Sequence, residues 1–119
     1  MTAPNLLALT QVYGKSTATN IGTAVTVLLS NSFASSKSVK IVSLYVANVD
    51  ATTAAKVSVD FYRNSVSIRL LDRLQISPGD SLIAMDKNSA LYLEEGDSLR
   101  CFSDQNDLMH VVVSYEVSQ

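Results

Sequence analysis

The sequence predicts a single all-β domain, an antiparallel β-sandwich with a jelly-roll-like order of strands. Hydrophobic residues recur at every second position along most of the chain, which indicates strands with one buried face. Turn-forming residues interrupt these runs roughly every 8–12 residues, a spacing typical of sandwiches and barrels. Apolar residues at helical spacing are nearly absent, and 119 residues fit one domain. Among the all-β architectures, we expect a jelly roll.

The alternating pattern predicts roughly eight or nine short strands. It is clearest at residues 24–29, 57–62, 66–71 and 111–118. Residues 39–49 instead carry apolar residues on both strand faces. That pattern is expected of a central strand that is covered on both of its faces.

Turn chemistry separates the predicted strands. Asn64 and Ser65 stand between two alternating runs and predict a β-hairpin. The tetrapeptide Gly-Asp-Ser-Leu occurs twice, at 79–82 and at 96–99, and each copy follows a group of turn-forming residues. Two turns of one type, each leading into a strand, explain this repetition, because two short copies are too few for a repeat architecture.

The N-terminal residues differ from the rest, so we divide the chain into residues 1–22 and a β-sandwich domain at 23–119. Leu6, Leu7 and Leu9 can belong to an edge strand of the same domain. The segment can equally be an extended N-terminal arm that docks on a neighbouring subunit. The sequence leaves both interpretations open.

Composition argues against several classes of function. The net charge is −2 and the nine Lys and Arg residues are scattered, whereas nucleic-acid binding needs a basic stripe. No stretch approaches the roughly 20 apolar residues of a membrane span, and the N-terminus lacks the basic start of a signal peptide. We expect a protein made in a cytosol that binds neither nucleic acid nor membrane. The lone Cys101 is expected to be a small buried hydrophobe.

The Gly-Asp-Ser-Leu string also gives its name to a family of serine hydrolases, in which the serine works with a distal Asp-x-x-His. Asp107 and His110 have that spacing, and His110 is the one histidine of the chain. Those enzymes are larger α/β proteins with the motif near the N-terminus, and their Gly and Asn oxyanion blocks have no counterpart here. We therefore expect no catalytic residues and no enzyme activity, and we place His110 at a surface or interface.

We expect no metal and no cofactor. One His and one Cys are too few for a zinc or iron site. Glu94, Glu95 and Asp97 lie together in one predicted turn, and Asp80 lies in another. We interpret the first group as a solvated turn whose Asp bonds its own backbone, with weak calcium binding as the alternative. Glycoside hydrolysis is disfavoured because the chain has no Trp to form a sugar platform.

The tyrosines are the best candidates for an interface, because the ring is apolar and the hydroxyl tolerates water. Tyr62 shares a strand face with Ser58 and Asp60, so we expect it to face outward as a contact residue. The full set of expected interface residues is Leu6, Leu7, Leu9, Tyr13, Tyr62, Tyr92 and His110.

Several segments resemble, in order along the chain, a family of small virion structural proteins of tailed bacteriophages, notably those of marine cyanobacteria. These segments are 3–6, 46–50, 57–63, 91–101 and 111–118. The resemblance covers most of the chain. It implies a non-enzymatic part of a phage particle, with no small-molecule substrate.

The resemblance further implies a capsid cement or decoration protein, which would sit where major capsid subunits meet and add buried area between them. The implied partners are the major capsid protein and further copies of this chain in a homotrimer. A neck, tail or fibre-associated virion protein of the same fold is the alternative. Such a protein would bind glycan through aromatic residues grouped at one loop end.

Overall fold

Two antiparallel β-sheets form the fold. The structure is a computed structural model and describes residues 12–86, 88 and 91–119. The strands of this part of the chain are β1 (Val12–Ile21), β2 (Thr26–Ser30), β3 (Ser38–Asn48), β4 (Ala55–Arg63), β5 (Val66–Ile76), β6 (Ser81–Met85), β7 (Leu91–Leu93), β8 (Ser98–Ser103) and β9 (Met109–Ser118). The predicted all-β architecture with two antiparallel sheets is confirmed.

The chain passes repeatedly from one sheet to the other. Sheet A has the strand order β1-β9-β3-β6, with β7 also paired to β3. Because β3 is long, residues 39–41 pair with β7 and residues 44–47 pair with β6. Sheet B has the strand order β2-β8-β4-β5. Consecutive strands therefore lie mostly in opposite sheets, which ties the two layers together along the whole sequence.

The core lies between the sheets and consists of side chains at alternate strand positions. In β9, Val111 and Val113 are buried, whereas Val112 between them is exposed. Burying a side chain of this size contributes about 1.5–3 kcal/mol, so the alternation fixes which face of each strand turns inward. Cys101 belongs to this core, as expected. Its burial, together with the nearby Asp60 carboxylate, raises the pKa of the thiol to about 12.

β3 is an interior strand of sheet A, but only one of its faces is covered. Ile41, Leu44 and Val46 are completely buried, whereas Tyr45 is exposed. The prediction that this segment is covered on both faces is therefore wrong. Sheet B covers the inner face of sheet A, and no described element packs on the outer face.

The predicted hairpin at Asn64 and Ser65 is confirmed and joins β4 to β5. Both residues have positive φ, 53° and 63°. A two-residue type I′ turn requires this conformation, which Asn tolerates better than most residues. Arg63 and Val66 pair directly on either side of the turn.

The two Gly-Asp-Ser-Leu turns have the same backbone hydrogen bonds. Gly79 donates its N–H to the carbonyl of Asn48 at 2.9 Å, and Asn48 donates to the aspartate after that glycine at 2.9 Å. Gly96 donates to the carbonyl of Asn31 at 2.6 Å, and Asn31 donates to the aspartate after that glycine at 2.9 Å. The prediction of two turns of one type, each leading into a strand, is confirmed.

The side chains of Asn31 and Asn48 are also used alike. Each is buried, and each Nδ2 donates to one carbonyl in the loop that follows and to one carbonyl just before the turn, at 2.9–3.0 Å. The first residues of β3 lie near Asn31, and Asn48 is the last residue of β3. The two asparagine-bound turns therefore lie at opposite ends of the molecule.

Residues 12–21 form β1, an edge strand of sheet A. All ten of its residues pair with β9, from Val12 opposite Ser118 to Ile21 opposite Met109. Leu6, Leu7 and Leu9 lie outside the described residues. The choice between an arm and an edge strand for that part of the chain stays a prediction, as does the boundary at residue 22.

Candidate functional site

The outer face of sheet A carries no formal charge across a large part of four strands. Residues that pair directly on neighbouring strands point to the same face of a sheet, so the registers define rows across it. The middle row consists of Ala18, Val112, Tyr45 and Ile83. The rows beside it consist of Asn20, His110, Ala47 and Ser81, and of Ser16, Ser114 and Ser43. We name these residues the uncharged face.

The middle row of the uncharged face is apolar and open to solvent. Ile83 is 58% exposed and Tyr45 is 45% exposed. Charged residues lie at the border of the face: Asp107 Oδ1 accepts a hydrogen bond from Asn20 Nδ2 at 3.3 Å, and Lys40 and Glu116 pair with each other across β3 and β9 in a further row. A sheet face without charges can pack against another surface without the cost of desolvating an ion. The face therefore fits a contact with another protein.

Two of the predicted interface residues lie on this side of the molecule. His110 belongs to the uncharged face, and Tyr92 is exposed beside Lys40 in the next row. Tyr13 is exposed as well, but it pairs with a core-facing residue of β9 and so lies on the inner side of the edge strand. The predicted set is thus spread over several surfaces.

Arginine side chains and aromatic rings cover the outer face of sheet B. Arg69 is hydrogen-bonded to the buried Asp60 and lies over the ring of Phe102, 5.1 Å from its centroid. The guanidinium carbon of Arg100 lies 3.6 Å from the ring centroid of Tyr62. Tyr62 therefore faces outward, as the alternation indicates, but it is half-buried beneath a cation.

A groove of about 370 Å³ lies at one end of sheet B, beside the second Gly-Asp-Ser-Leu turn. Tyr62 and Arg100 line it from the strands, and Phe33 lines it from the loop that follows β2. Phe33 is 77% exposed. The remaining lining residues are Val27, Ser30, Asn31, Ser32, Gly96, Asp97 and Ser98. We name this site the Phe33 groove.

The ring of Phe33 rests against the backbone of the turn. Gly96 has φ +91°, and a Cβ at this position would lie 2.5 Å from Cε1 of Phe33. The loop that carries Phe33 is held by the buried side chain of Asn31, whose Oδ1 also accepts a hydrogen bond from Ser35 Oγ at 2.6 Å. An aromatic ring that is both exposed and held on a fixed loop is an arrangement that binding sites use.

The carboxylates near the groove are already paired. Arg63 donates through Nε to Asp97 Oδ1 at 2.8 Å and through Nη2 to Oδ2 at 2.5 Å, and it lies 3.4 Å from Glu94. This bidentate pair raises the pKa of Arg63. Asp97 also accepts the N–H of Glu94 at 2.8 Å, which confirms that the aspartate bonds its own turn. The prediction of a solvated turn is wrong for Glu95 and Asp97, which are buried, whereas Glu94 is exposed.

Arg100 differs from the other three arginines of the chain. Arg63, Arg69 and Arg73 each have a carboxylate oxygen at 3.5 Å or closer. In the part of the chain that the structure describes, no carboxylate lies within ion-pair distance of Arg100, and its Nε donates to Ser98 Oγ at 3.2 Å. Its charge is therefore the one that a molecule in the Phe33 groove meets.

The residues of the hydrolase-like pattern lie apart. Ser98 belongs to β8 in sheet B, whereas His110 belongs to β9 in sheet A. Ser81 is nearer to His110, because both pair with Ala47 from opposite sides of β3. Two strand spacings of about 4.8 Å place their backbones roughly 10 Å apart. Two side chains that stand side by side on one sheet face at this separation do not point at each other, as the serine–base hydrogen bond of such hydrolases requires.

Metal binding finds little support in the described ranges. Within residues 12–86, 88 and 91–119, no group of three or more His, Cys, Asp or Glu side chains is placed to hold a metal ion. Asp97 and Glu94, which the sequence grouped with Glu95, face the guanidinium of Arg63. An expected absence of metal remains a prediction for the chain as a whole.

The predicted interface set omits most residues of these two surfaces, among them Tyr45, Ile83, Phe33 and Arg100. The exposure of Tyr45 could not be predicted, because it lies in a segment whose apolar character indicates burial. Ile83 lies in a short strand with little alternation. Phe33 had one usable signal, since it is an isolated aromatic residue within a run of Asn and Ser. Arg100 has no such signal, because the aromatic ring beneath it, Tyr62, is distant in sequence.

Comparison with known proteins gives no match: no protein-family model fits this sequence, and neither does any curated protein. The described part of the chain contains no helix with the length and apolar character needed to cross a membrane.

Proposed function

We propose that this chain is a non-enzymatic phage virion structural protein, a capsid cement protein that bridges and stabilises major capsid subunits. The observation that carries the proposal is the uncharged face of sheet A, with its exposed apolar row. A protein that works by packing on a shell needs such a surface, since buried charges without partners oppose association. The resemblance of the sequence to small phage virion proteins supports the same conclusion.

The size of the uncharged face favours a protein that acts in many copies. Four strands about 4.8 Å apart, over about six residues of roughly 3.4 Å each, give an area of roughly 400 Å². A standard stable interface buries about 800 Å² on each partner. One copy would therefore hold weakly through this face alone. Copies joined in a homotrimer would hold together, because the second and third contacts become intramolecular.

A jelly-roll topology is the finer fold that we propose. The strand order supports it when β6 and β7 are counted as one interrupted strand beside β3. Numbered in that way, sheet A holds the first, eighth, third and sixth strands, and sheet B holds the second, seventh, fourth and fifth. This arrangement consists of two interleaved Greek keys, as in a jelly roll. An experimental structure of the virion would test the assignment directly.

The decisive experiment is the copy number of this protein in purified virions of the phage that encodes it. Quantitative mass spectrometry, scaled to the major capsid protein, should give a simple whole-number ratio typical of a shell lattice. A count that fits a neck ring, a tail or a few fibres would exclude the cement function. It would support the alternative of a neck, tail or fibre-associated protein, for which the Phe33 groove is the favourable observation. Absence from the particle would contradict both.

A second experiment tests the face itself. Tyr45→Lys places a charge in the middle of the uncharged face and should reduce binding to virions that lack the protein. Val25→Lys is the matched control, since Val25 is 57% exposed in a loop outside that face. Equal binding of the two variants would show that the face is not the contact.

A further inference from the structure

We propose that the Phe33 groove binds an acidic oligosaccharide, with Arg100 pairing with a sugar carboxylate and Phe33 packing against the sugar ring. The groove and the uncharged face belong to different sheets, so both can be occupied at once. This inference does not depend on the capsid function, and a failure of one leaves the other standing.

The polar and apolar groups of the groove suit a sugar ring. A pyranose presents C–H groups on one face, which pack against an aromatic ring, and hydroxyl groups around its edge. The groove supplies an exposed ring in Phe33 and hydroxyl groups in Ser30 and Ser32. A few polar groups in a mainly apolar cleft are the usual composition of a small-molecule site. The volume of about 370 Å³ is within the range of small-molecule sites.

The charge of the groove selects an acidic sugar. Arg100 has no carboxylate partner among the described residues, its guanidinium carbon lies 3.6 Å from the ring centroid of Tyr62, and its Nε donates to Ser98 Oγ. A held guanidinium binds a planar carboxylate at two points and loses little side-chain entropy in doing so. Asp97 does not oppose an anion, because its carboxylate is completely buried and paired with Arg63. Asp97 and Glu94 share the guanidinium of Arg63, so the attraction of the groove for an anion rests on the guanidinium of Arg100 and not on a net charge of the site.

An acidic peptide is disfavoured by the strand beside the groove. Peptides commonly bind by adding a strand to a free sheet edge, through main-chain hydrogen bonds. β2 is the edge strand of sheet B at this site, but its register with β8 shifts between Val27 and Leu29. Such a bulge disrupts the regular row of edge N–H and C=O groups. The side chains of the groove then remain as the groups that recognise a ligand.

The test is a titration of the full chain, labelled with ¹⁵N, with trigalacturonate as the probe. Amide shifts should concentrate at residues 30–33 and 96–100, and binding should weaken with added salt, as expected for a charge-dependent contact. Neutral galactotriose should bind at least roughly tenfold more weakly, since it lacks the charge-assisted hydrogen bonds. No shift at roughly 10 mM trigalacturonate, tenfold above a Kd of about 1 mM, would overturn the proposal.

Two variants assign the roles of the residues. Arg100→Gln should reduce trigalacturonate affinity by about tenfold or more and leave galactotriose binding unchanged, whereas Phe33→Ala should weaken both. Arg73→Gln is the matched control, because Arg73 is an exposed arginine on β5 outside the groove. Amide dispersion shows whether each variant is folded. Arg100→Lys, which keeps the charge but not the planar group, provides a second measurement and should fall between wild type and Arg100→Gln.

Three outcomes would contradict the inference. Equal binding of the neutral and acidic sugars would remove the role of Arg100, and equal loss in Arg73→Gln would show non-specific charge attraction. Tighter binding of hexaglutamate than of trigalacturonate, with shifts in the same residues, would identify the groove as a site for acidic peptide instead.

Discussion

Replacing Asn31 or Asn48 with alanine should destabilise the protein strongly and to a similar extent. The two side chains lie at opposite ends of the sandwich, yet each holds a Gly-Asp-Ser-Leu turn to the loop opposite it. Each Nδ2 donates two hydrogen bonds to main-chain carbonyls. Each Oδ1 accepts one more, from Ser35 Oγ at 2.6 Å in one case and from the N–H of Asp50 at 3.0 Å in the other. Because the two side chains make equivalent hydrogen bonds, we expect the two alanine variants to lose similar free energies of unfolding.

The expected magnitude follows from the groups left without partners. A hydrogen bond contributes about 1 kcal/mol net, and a buried carbonyl left unsatisfied costs about 1–3 kcal/mol. Water can reach part of each loop after the side chain is removed, so we expect a loss of roughly 2–4 kcal/mol for each variant. The two sites share no partners, so the double variant should show the sum to within about 0.5 kcal/mol. Such a sum is a large share of a total stability of about 5–15 kcal/mol.

Equilibrium urea unfolding, at one fixed protein concentration, measures these losses. Asn20→Ala is the control, because the Asn20 side chain is exposed and its bond to Asp107 is long, at 3.3 Å. That variant should change the free energy of unfolding by less than about 0.5 kcal/mol. If Asn31→Ala were as mild as the control while Asn48→Ala cost several kcal/mol, the equivalence of the two turns would be wrong.

Three further predictions concern single residues. Asp97→Ala should lower the free energy of unfolding by about 2–4 kcal/mol, measured by urea unfolding. This loss is below the upper range for breaking a buried ion pair, because Arg63 reaches solvent. A much smaller loss would show that the Arg63–Asp97 pair contributes little to stability. Cys101, with a pKa of about 12, should resist a thiol reagent at pH 8 until urea unfolds the chain, and fast labelling of the folded protein would contradict its burial. The pKa of Asp50 is lowered by the N–H groups of Thr52 and Thr53, so its stabilising effect is present above its ordinary value of 3.8 and is lost as the pH falls through the lower folded value. Asp50→Asn should remove that part of the acid sensitivity in pH-dependent unfolding, and an unchanged profile would count against the bonds.

The sequence predicts the all-β fold well because the alternation of apolar and polar residues along each strand indicates which face is buried. Val111 and Val113 are buried and Val112 is exposed, as a period of two residues requires. The Asn64–Ser65 hairpin and the two glycine turns can also be predicted from the sequence, since their backbone conformations restrict which residues occur there. The prediction that segment 39–49 is covered on both faces is wrong for a physical reason. An apolar outer face with no cover inside the chain has the same sequence pattern as a face that is covered.

The two surfaces were harder to predict, because they are defined by pairing rather than by neighbours in sequence. Ala18, Tyr45, Ile83 and Val112 form one row only after the registers of four strands are known. The predicted interface residues were chosen one by one, so the set includes His110 and Tyr92 on the outer side of sheet A and omits the centre of the uncharged face. No sequence window contains the information that joins these strands.

The duplicated turn explains why the groove lies at one end of the molecule only. Gly79 and Gly96 both have positive φ, 78° and 91°, and both donate to a strand-ending or strand-following asparagine. A Cβ at Gly79 would meet no atom within 4 Å, whereas at Gly96 it would meet the ring of Phe33. The same turn thus has only a structural role at the first end, where Gly79 lies. At the second end Gly96 also lies against the exposed ring of Phe33, which lines the same groove as Arg100, and the first turn has no such ring beside its glycine.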